Sequence, residues 1–92
     1  MAVNTTRITA TGTAITKAAA GRSTLCVSYF ILTGDSAAAK AIIRETDGSG
    51  AIVLTITAAI NTTIPVPFER IFNTDVHVTL SGAGAELVTG WC

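Results

Sequence analysis

Charge is scarce in this chain. Six basic and six acidic side chains make up 13% of its 92 residues, where a soluble domain usually carries about 25%. A small domain normally covers its large surface with charge. Here Thr, Ser, Asn and Ala must do so, or part of the surface must be buried against copies or partners. The basic residues Arg7, Lys17, Arg22, Lys40, Arg44 and Arg70 are scattered, with no cluster of three. The basic patch or stripe that nucleic-acid binding needs is therefore missing from the sequence, and no nucleic-acid partner is expected. A formal net charge of zero gives little colloidal repulsion, which suits an assembly subunit better than a free monomer.

Long apolar runs are missing too. None approaches the roughly 18 residues of a membrane-crossing helix, so no membrane partner is expected. The opening Met1-Ala2-Val3-Asn4-Thr5-Thr6-Arg7 lacks a basic region followed by an apolar stretch, which argues against a signal peptide. The acceptor patterns at Asn4-Thr5-Thr6 and Asn61-Thr62-Thr63 are accordingly read as chance matches.

Chemistry-bearing residues are equally sparse. His77 is the one histidine and reads as a surface or interface side chain. A zinc site would need Cys26 and Cys92 to converge on it with a carboxylate as fourth ligand. Cys26 lies in the apolar run Leu25–Leu32 and reads as a small core filler. Together with Cys92, the last residue, it does not make a disulfide scaffold, and the sequence leaves an intramolecular bond between them open without supporting it. No serine sits in a nucleophile-elbow pattern. Of the carboxylates Asp35, Glu45, Asp47, Glu69, Asp75 and Glu86, Asp35 and Asp47 fall in turns. Glu69-Arg70 reads as a pair facing solvent or another subunit, and no carboxylate pair across a cleft is indicated. The run Asp47-Gly48-Ser49-Gly50 matches neither a calcium loop nor a phosphate loop. No catalytic, cofactor or metal residue is named, and the chain is read as a non-enzyme.

What the sequence does contain is alternation of period two. In Thr24–Thr33, Leu25, Val27, Tyr29 and Ile31 take one face and Cys26, Ser28, Phe30 and Leu32 the other, as in a central strand covered on both sides or facing a subunit interface on one. Ile52, Leu54, Ile56 and Ala58 alternate with Val53, Thr55 and Thr57. Val76, Val78 and Leu80 alternate with His77 and Thr79. Ala85–Trp91 is a weaker strand. Thr6–Thr11 and Thr13–Ala18 are Thr-rich, anchored by Ile8 and Ile15, and Thr suits a half-exposed pleated surface. Gly12, Gly21, Gly34, Asp47-Gly48 and Ser81–Gly84 punctuate these runs. Asp47-Gly48 predicts a hairpin from Ala41–Glu45 to Ala51–Ala58, and Ser81–Gly84 a turn that joins Val76–Leu80 to Glu86–Trp91. Ser36–Glu45 fits a capped helix or a strand; the hairpin's need for a partner favours strand. Asn61–Phe72 holds Pro65 and Pro67, which predict an extended edge or crossover with Phe68, Ile71 and Phe72 in the core. Spacings of about 8–12 residues predict one all-β domain over residues 1–92, an antiparallel β-sandwich of seven or eight short strands, jelly-roll-like or Ig-like.

The order of pieces from Ala39 to Cys92 is Ala41-Ile42-Ile43-Arg44, Asp47–Gly50, Ala51–Ile56, Ile64-Pro65-Val66-Pro67-Phe68 and Val76–Ala85. This order resembles small phage-encoded virion accessory proteins of β-sandwich type. The resemblance implies a structural virion protein made in the host bacterial cytoplasm. Its role would be capsid decoration or cement, or a head–tail accessory subunit. It also implies a homo-oligomer, a trimer, in contact with capsid, neck or tail proteins, and no active-site residues. Departing from the pattern, this chain ends Leu87–Cys92 rather than in alternating valines and a tyrosine. The competing expectation is a carbohydrate- or host-surface-binding module of a phage tail or fibre, with Trp91 or Phe68 as its exposed aromatic.

Overall fold

The computed structural model of the chain describes residues 4–16 and 25–92. Eight strands run through them: β1 (Asn4–Ile8), β2 (Gly12–Ile15), β3 (Leu25–Thr33), β4 (Ala39–Glu45), β5 (Ile52–Ala58), β6 (Thr63–Phe72), β7 (Val76–Ser81) and β8 (Glu86–Trp91). They form two four-stranded sheets, β1-β8-β3-β6 and β2-β7-β4-β5, with every paired neighbour antiparallel. Consecutive strands alternate between the sheets everywhere except at β4–β5. This is the strand order of a jelly roll, two four-stranded sheets wound as Greek keys. The Ig-like alternative is set aside.

The core lies between the sheets. The first sheet sends in Ile8, Leu25, Val27, Phe30, Leu32, Phe72, Leu87 and Trp91; the second supplies Ile15, Ala39, Ala41, Ile43, Ile56, Ala58, Val76 and Val78. The first sheet supplies the aromatic bulk, Phe30, Phe72 and Trp91, and the second the small Ala39, Ala41 and Ala58. That accounts for the alanines of the stretch that also fitted a helix: Ala39 and Ala41 are buried strand residues, and 39–45 is strand.

The faces of β3 differ from strict alternation. Its ladder to β8 steps from Val27↔Trp91 to Tyr29↔Gly90, so Ser28 is one residue extra. This β-bulge inverts the phase of everything after it. Leu25, Val27, Phe30 and Leu32 all point inward, and Cys26, Tyr29, Ile31 and Thr33 point outward. The expected grouping of Tyr29 and Ile31 with Leu25 and Val27 is corrected accordingly. Thr89, fully buried, donates its hydroxyl to the Tyr29 carbonyl at 3.1 Å beside the bulge. A second slip, between Ile43 and Arg44, leaves Ile52 57% exposed rather than in the core. On β6, Phe72 is buried and Phe68 packs on Phe30 with ring centroids 6.2 Å apart. Ile71 lies on the other side, 61% exposed, so its expected burial is also corrected.

Ser81–Gly84 joins the expected strands, which lie in different sheets and so form no hairpin. It carries the chain across, with Gly82 and Gly84 at positive φ (110° and 75°), where L side chains are strained. At the β4–β5 hairpin the positive φ falls on Thr46 (75°). Asp47 then caps a turn, its carbonyl accepting from Gly50 N–H at 3.0 Å and its carboxylate from Ser49 N–H at 2.8 Å. Asp47-Gly48 thus joins the expected strands, but through a longer loop than a two-residue turn. Ile8 and Ile15 are buried as expected, although their strands are shorter and belong to opposite sheets. Lys17, Ala18, Gly21 and Arg22 lie outside the described residues.

The prolines of β6 sit on an outer edge. Gly34 N–H donates to the Thr62 carbonyl at 2.8 Å, which puts even-numbered residues in bonding position towards β3. Pro65 and Pro67 therefore turn their missing donors to the open side. That edge offers no regular ladder for another strand to add to.

Two outcomes test this packing. Phe30→Ala should cost about 3–5 kcal/mol in urea denaturation, and Thr89→Val about 1 kcal/mol from the abandoned carbonyl; a neutral Phe30→Ala would refute the assigned phase of β3. Replacing Pro65 and Pro67 together by Thr restores edge donors and should speed aggregation followed by light scattering, whereas an unchanged rate would show that the prolines do not guard that edge.

Candidate functional site

The outer faces of the two sheets differ in chemistry. On the second sheet, the outward residues include Lys40, Ile42, Arg44, Thr55, Thr57, His77, Thr79 and Ser81, with Thr13 beside His77. This surface is rich in threonine and charge, with Ile42 and the exposed Ile52 among them. On the first sheet, cross-strand register lines up Val88, Ile31 and Pro65 in one row and Gly90, Tyr29 and Pro67 in the next. Tyr29, Ile31, Pro65 and Pro67 line a shallow groove of about 470 Å³, with the exposed Ile71 further along the face. The Tyr29 ring lies over Gly90, where an added Cβ would meet Cε2 at 2.1 Å. Glycine is needed here because the ring occupies the space a side chain would take. Thr5 and the ion pair between Arg7 and Glu86 border the apolar rows on one side.

The candidate chemistry of the sequence does not assemble. His77 pairs across the sheet with Arg44 and Thr13, and the Gly48 backbone folds close to its ring. Its Nδ1 and Arg44 Nε are buried without a hydrogen-bond partner. Glu45 does not serve His77; it accepts from Arg70 of the other sheet at 3.0 Å. Arg70 also lies 5.6 Å from the Phe72 ring centroid. Glu69-Arg70 is therefore split: Arg70 bridges the sheets, and Glu69 is exposed on the opposite side of β6. Asp47 is occupied by its own turn. Among the described residues no three His, Cys, Asp or Glu side chains gather as a metal site.

The aromatics sort cleanly. Trp91 is a core plug, 8% exposed, its Nε1 donating to Thr6 Oγ1 at 2.9 Å. Phe68 is half-buried against Phe30. Neither is an exposed platform for a sugar. Tyr29 and Phe30 divide between the outer face and the core, as opposite neighbours on a strand should.

The two cysteines, 66 positions apart in sequence, meet. Cys26 N–H donates to the Cys92 carbonyl at 3.2 Å, and Cys92 N–H to the Cys26 carbonyl at 2.8 Å. Both thiols are free and half-buried. Cys26 is thus not a core filler: its side chain lies on the outer face beside Ile71. A hydrogen bond to the Cys92 side chain, with some burial, holds the Cys26 thiol above its ordinary value of 9.0. Nothing in the spacing signalled this meeting, which depends on β8 lying next to β3.

No protein family, curated protein or solved structure matches the chain.

A raised thiol pKa means less thiolate in the folded than in the unfolded chain at any given pH. Folding is favoured fully below the unfolded value, and that contribution fades as pH climbs through the folded one. Iodoacetamide labelling of reduced Cys92→Ser chain and of reduced native chain, followed against pH, should place the native Cys26 midpoint above 9 and lower it once the Cys92 thiol is gone. Identical midpoints would show that the Cys92 side chain does not hold the proton.

Proposed function

We propose that the chain is a structural subunit that acts through protein–protein contact, packing against copies of itself through the outer face of the β1-β8-β3-β6 sheet. The observation that carries this reading is the apolar face formed by Val88, Ile31, Pro65, Tyr29 and Pro67, opposite a face on the second sheet where Ile42 and Ile52 stand among threonines and charges. Contiguous exposed apolar surface of this kind marks interaction sites on soluble proteins. A second copy is the occupant because the molecule is a slab 38 × 28 × 17 Å. Its broad face can supply the roughly 800 Å² per partner of a standard interface. A zero net charge leaves little repulsion between copies. The prolines of β6 disfavour pairing along that edge, so the face is the better route.

The setting we propose is a virion, as a capsid decoration or cement protein or a head–tail accessory subunit. This rests on the resemblance of Ala39–Cys92 to small phage accessory proteins, as does a trimeric count. The jelly-roll order agrees with it at the level of analogy, since viral capsid domains use that architecture. Lectin domains use it as well, but a carbohydrate-binding reading would have to do without Trp91 and Phe68 as exposed aromatics.

Sedimentation equilibrium at micromolar concentration tests the reading. The native chain should run at a multiple of its 9.4 kDa mass. Ile31→Lys, which puts a charge on the outer face and leaves the core untouched, should run as a folded monomer. A native monomer, or an oligomer indifferent to Ile31→Lys and Tyr29→Lys, would refute this face as the interface.

A further inference from the structure

We infer that Cys26 and Cys92 are a reversible dithiol–disulfide site, closed within one chain by exchange with a low-molecular-weight disulfide. Their backbones exchange two hydrogen bonds, the arrangement of a directly opposed antiparallel pair, with Cα atoms about 5.5 Å apart. A disulfide takes Cα separations of about 4.4–6.8 Å, so the backbone already stands at bonding range. Opposed residues send their side chains to the same face, so the two thiols project from neighbouring strands on one side of the sheet. The pair lies on the outer surface of the sheet, beside exposed Ile71, and both residues are partly accessible.

The exchange balances as follows. One cysteine thiolate attacks the small disulfide, forming a mixed disulfide and releasing one small thiolate. The second cysteine thiolate attacks the protein sulfur of that mixed disulfide and releases the other. Two electrons pass to the small disulfide, and the two cysteine protons end on the released thiols. Hydrogen-bonded pairs hold their Cβ atoms near the wide end of about 4.5–5.5 Å, beyond the mean of about 3.8 Å that a disulfide prefers. The sheet must draw in locally to close the bond, so a small thiol in excess should open it again. Closed, the bond joins the residue after β8 to β3 and encloses most of the chain between them.

This inference stands on the register of β3 and β8 and not on the proposed self-packing. It is tested on the free chain in reduced form, with oxidised glutathione as the probe. The folded protein should lose two hydrogens in mass and gain no adduct. Trypsin should release residues 23–40 joined to residues 71–92, and dithiothreitol should separate them. The thermal midpoint should rise on closure by on the order of 10 °C, the effect of a long loop on a domain of this size. Cys26→Ser and Cys92→Ser should each take one glutathione and show no such rise. The same oxidation in guanidinium should give mostly glutathione adducts, since only the fold brings the thiols together. Two adducts on the folded chain, a bond between two chains, or closure equally efficient in guanidinium would overturn the inference.

Discussion

β3 is bonded on both sides, to β8 and to β6, and both ladders slip at one place, between Val27 and Tyr29. The rest of the molecule depends on that slip. A strand nine residues long with a strict period of two would have sent either Leu25 and Val27 or Phe30 and Leu32 out of the core. One extra residue, Ser28, lets all four point inward, where each is fully buried. Because side-chain direction alternates, the same residue also decides what remains outside: Cys26 on one side of the bulge, Tyr29 and Ile31 on the other. The bulge is pinned by its neighbours. The Thr89 hydroxyl reaches the Tyr29 carbonyl, and the Tyr29 ring lies over Gly90. The small residue in β8 and the aromatic in β3 thus complement one another across the pair.

Much of the architecture was legible in the sequence because it is encoded locally. Alternation in Val76–Leu80, the Thr-rich anchors Ile8 and Ile15, and turn residues between short runs all act over a few positions and led to a sandwich of seven or eight strands. What could not be read depends on partners distant along the chain. Alternation cannot reveal a bulge, since Ser28 is ordinary in a strand and only its unpaired position opposite β8 makes it the extra residue. Ser81–Gly84 marks the turn between β7 and β8 but not its crossing between sheets, because local turn preference sets a reversal without choosing which strand receives the chain. Thr46 takes the left-handed conformation beside an Asp-Gly pair that suits it better; its N–H donates to the Asp75 carbonyl and its hydroxyl to Thr74, so tertiary contacts override local preference. Cys26 and Cys92 are the extreme case: nothing within ten residues of either announces the other.

The shortage of charge falls unevenly on the folded molecule. Among the described residues, ion pairs join Arg7 with Glu86 at one border of the apolar face and Arg70 with Glu45 across the two sheets. Both are partly exposed, so their worth lies less in stability than in position. Lys40 and Arg44 stand among threonines on the second sheet. The middle rows of the first sheet's outer face, Val88-Ile31-Pro65 and Gly90-Tyr29-Pro67, carry none.

An apolar sheet face and an unguarded sheet edge lead to different assemblies. Edge pairing repeats head to tail, because every added strand presents a new edge, and it tends to grow without limit. Face packing consumes the surface it uses and closes into a finite set of copies. On β6 the two features meet in the same residues. Pro65 and Pro67 contribute their rings to the apolar face and withhold their donors from the open edge. A threonine or valine at either place would keep some of the face and restore the edge. Proline alone serves both requirements, which gives a physical reason for two of them, and only two in the chain, to stand at alternate positions of a single edge strand.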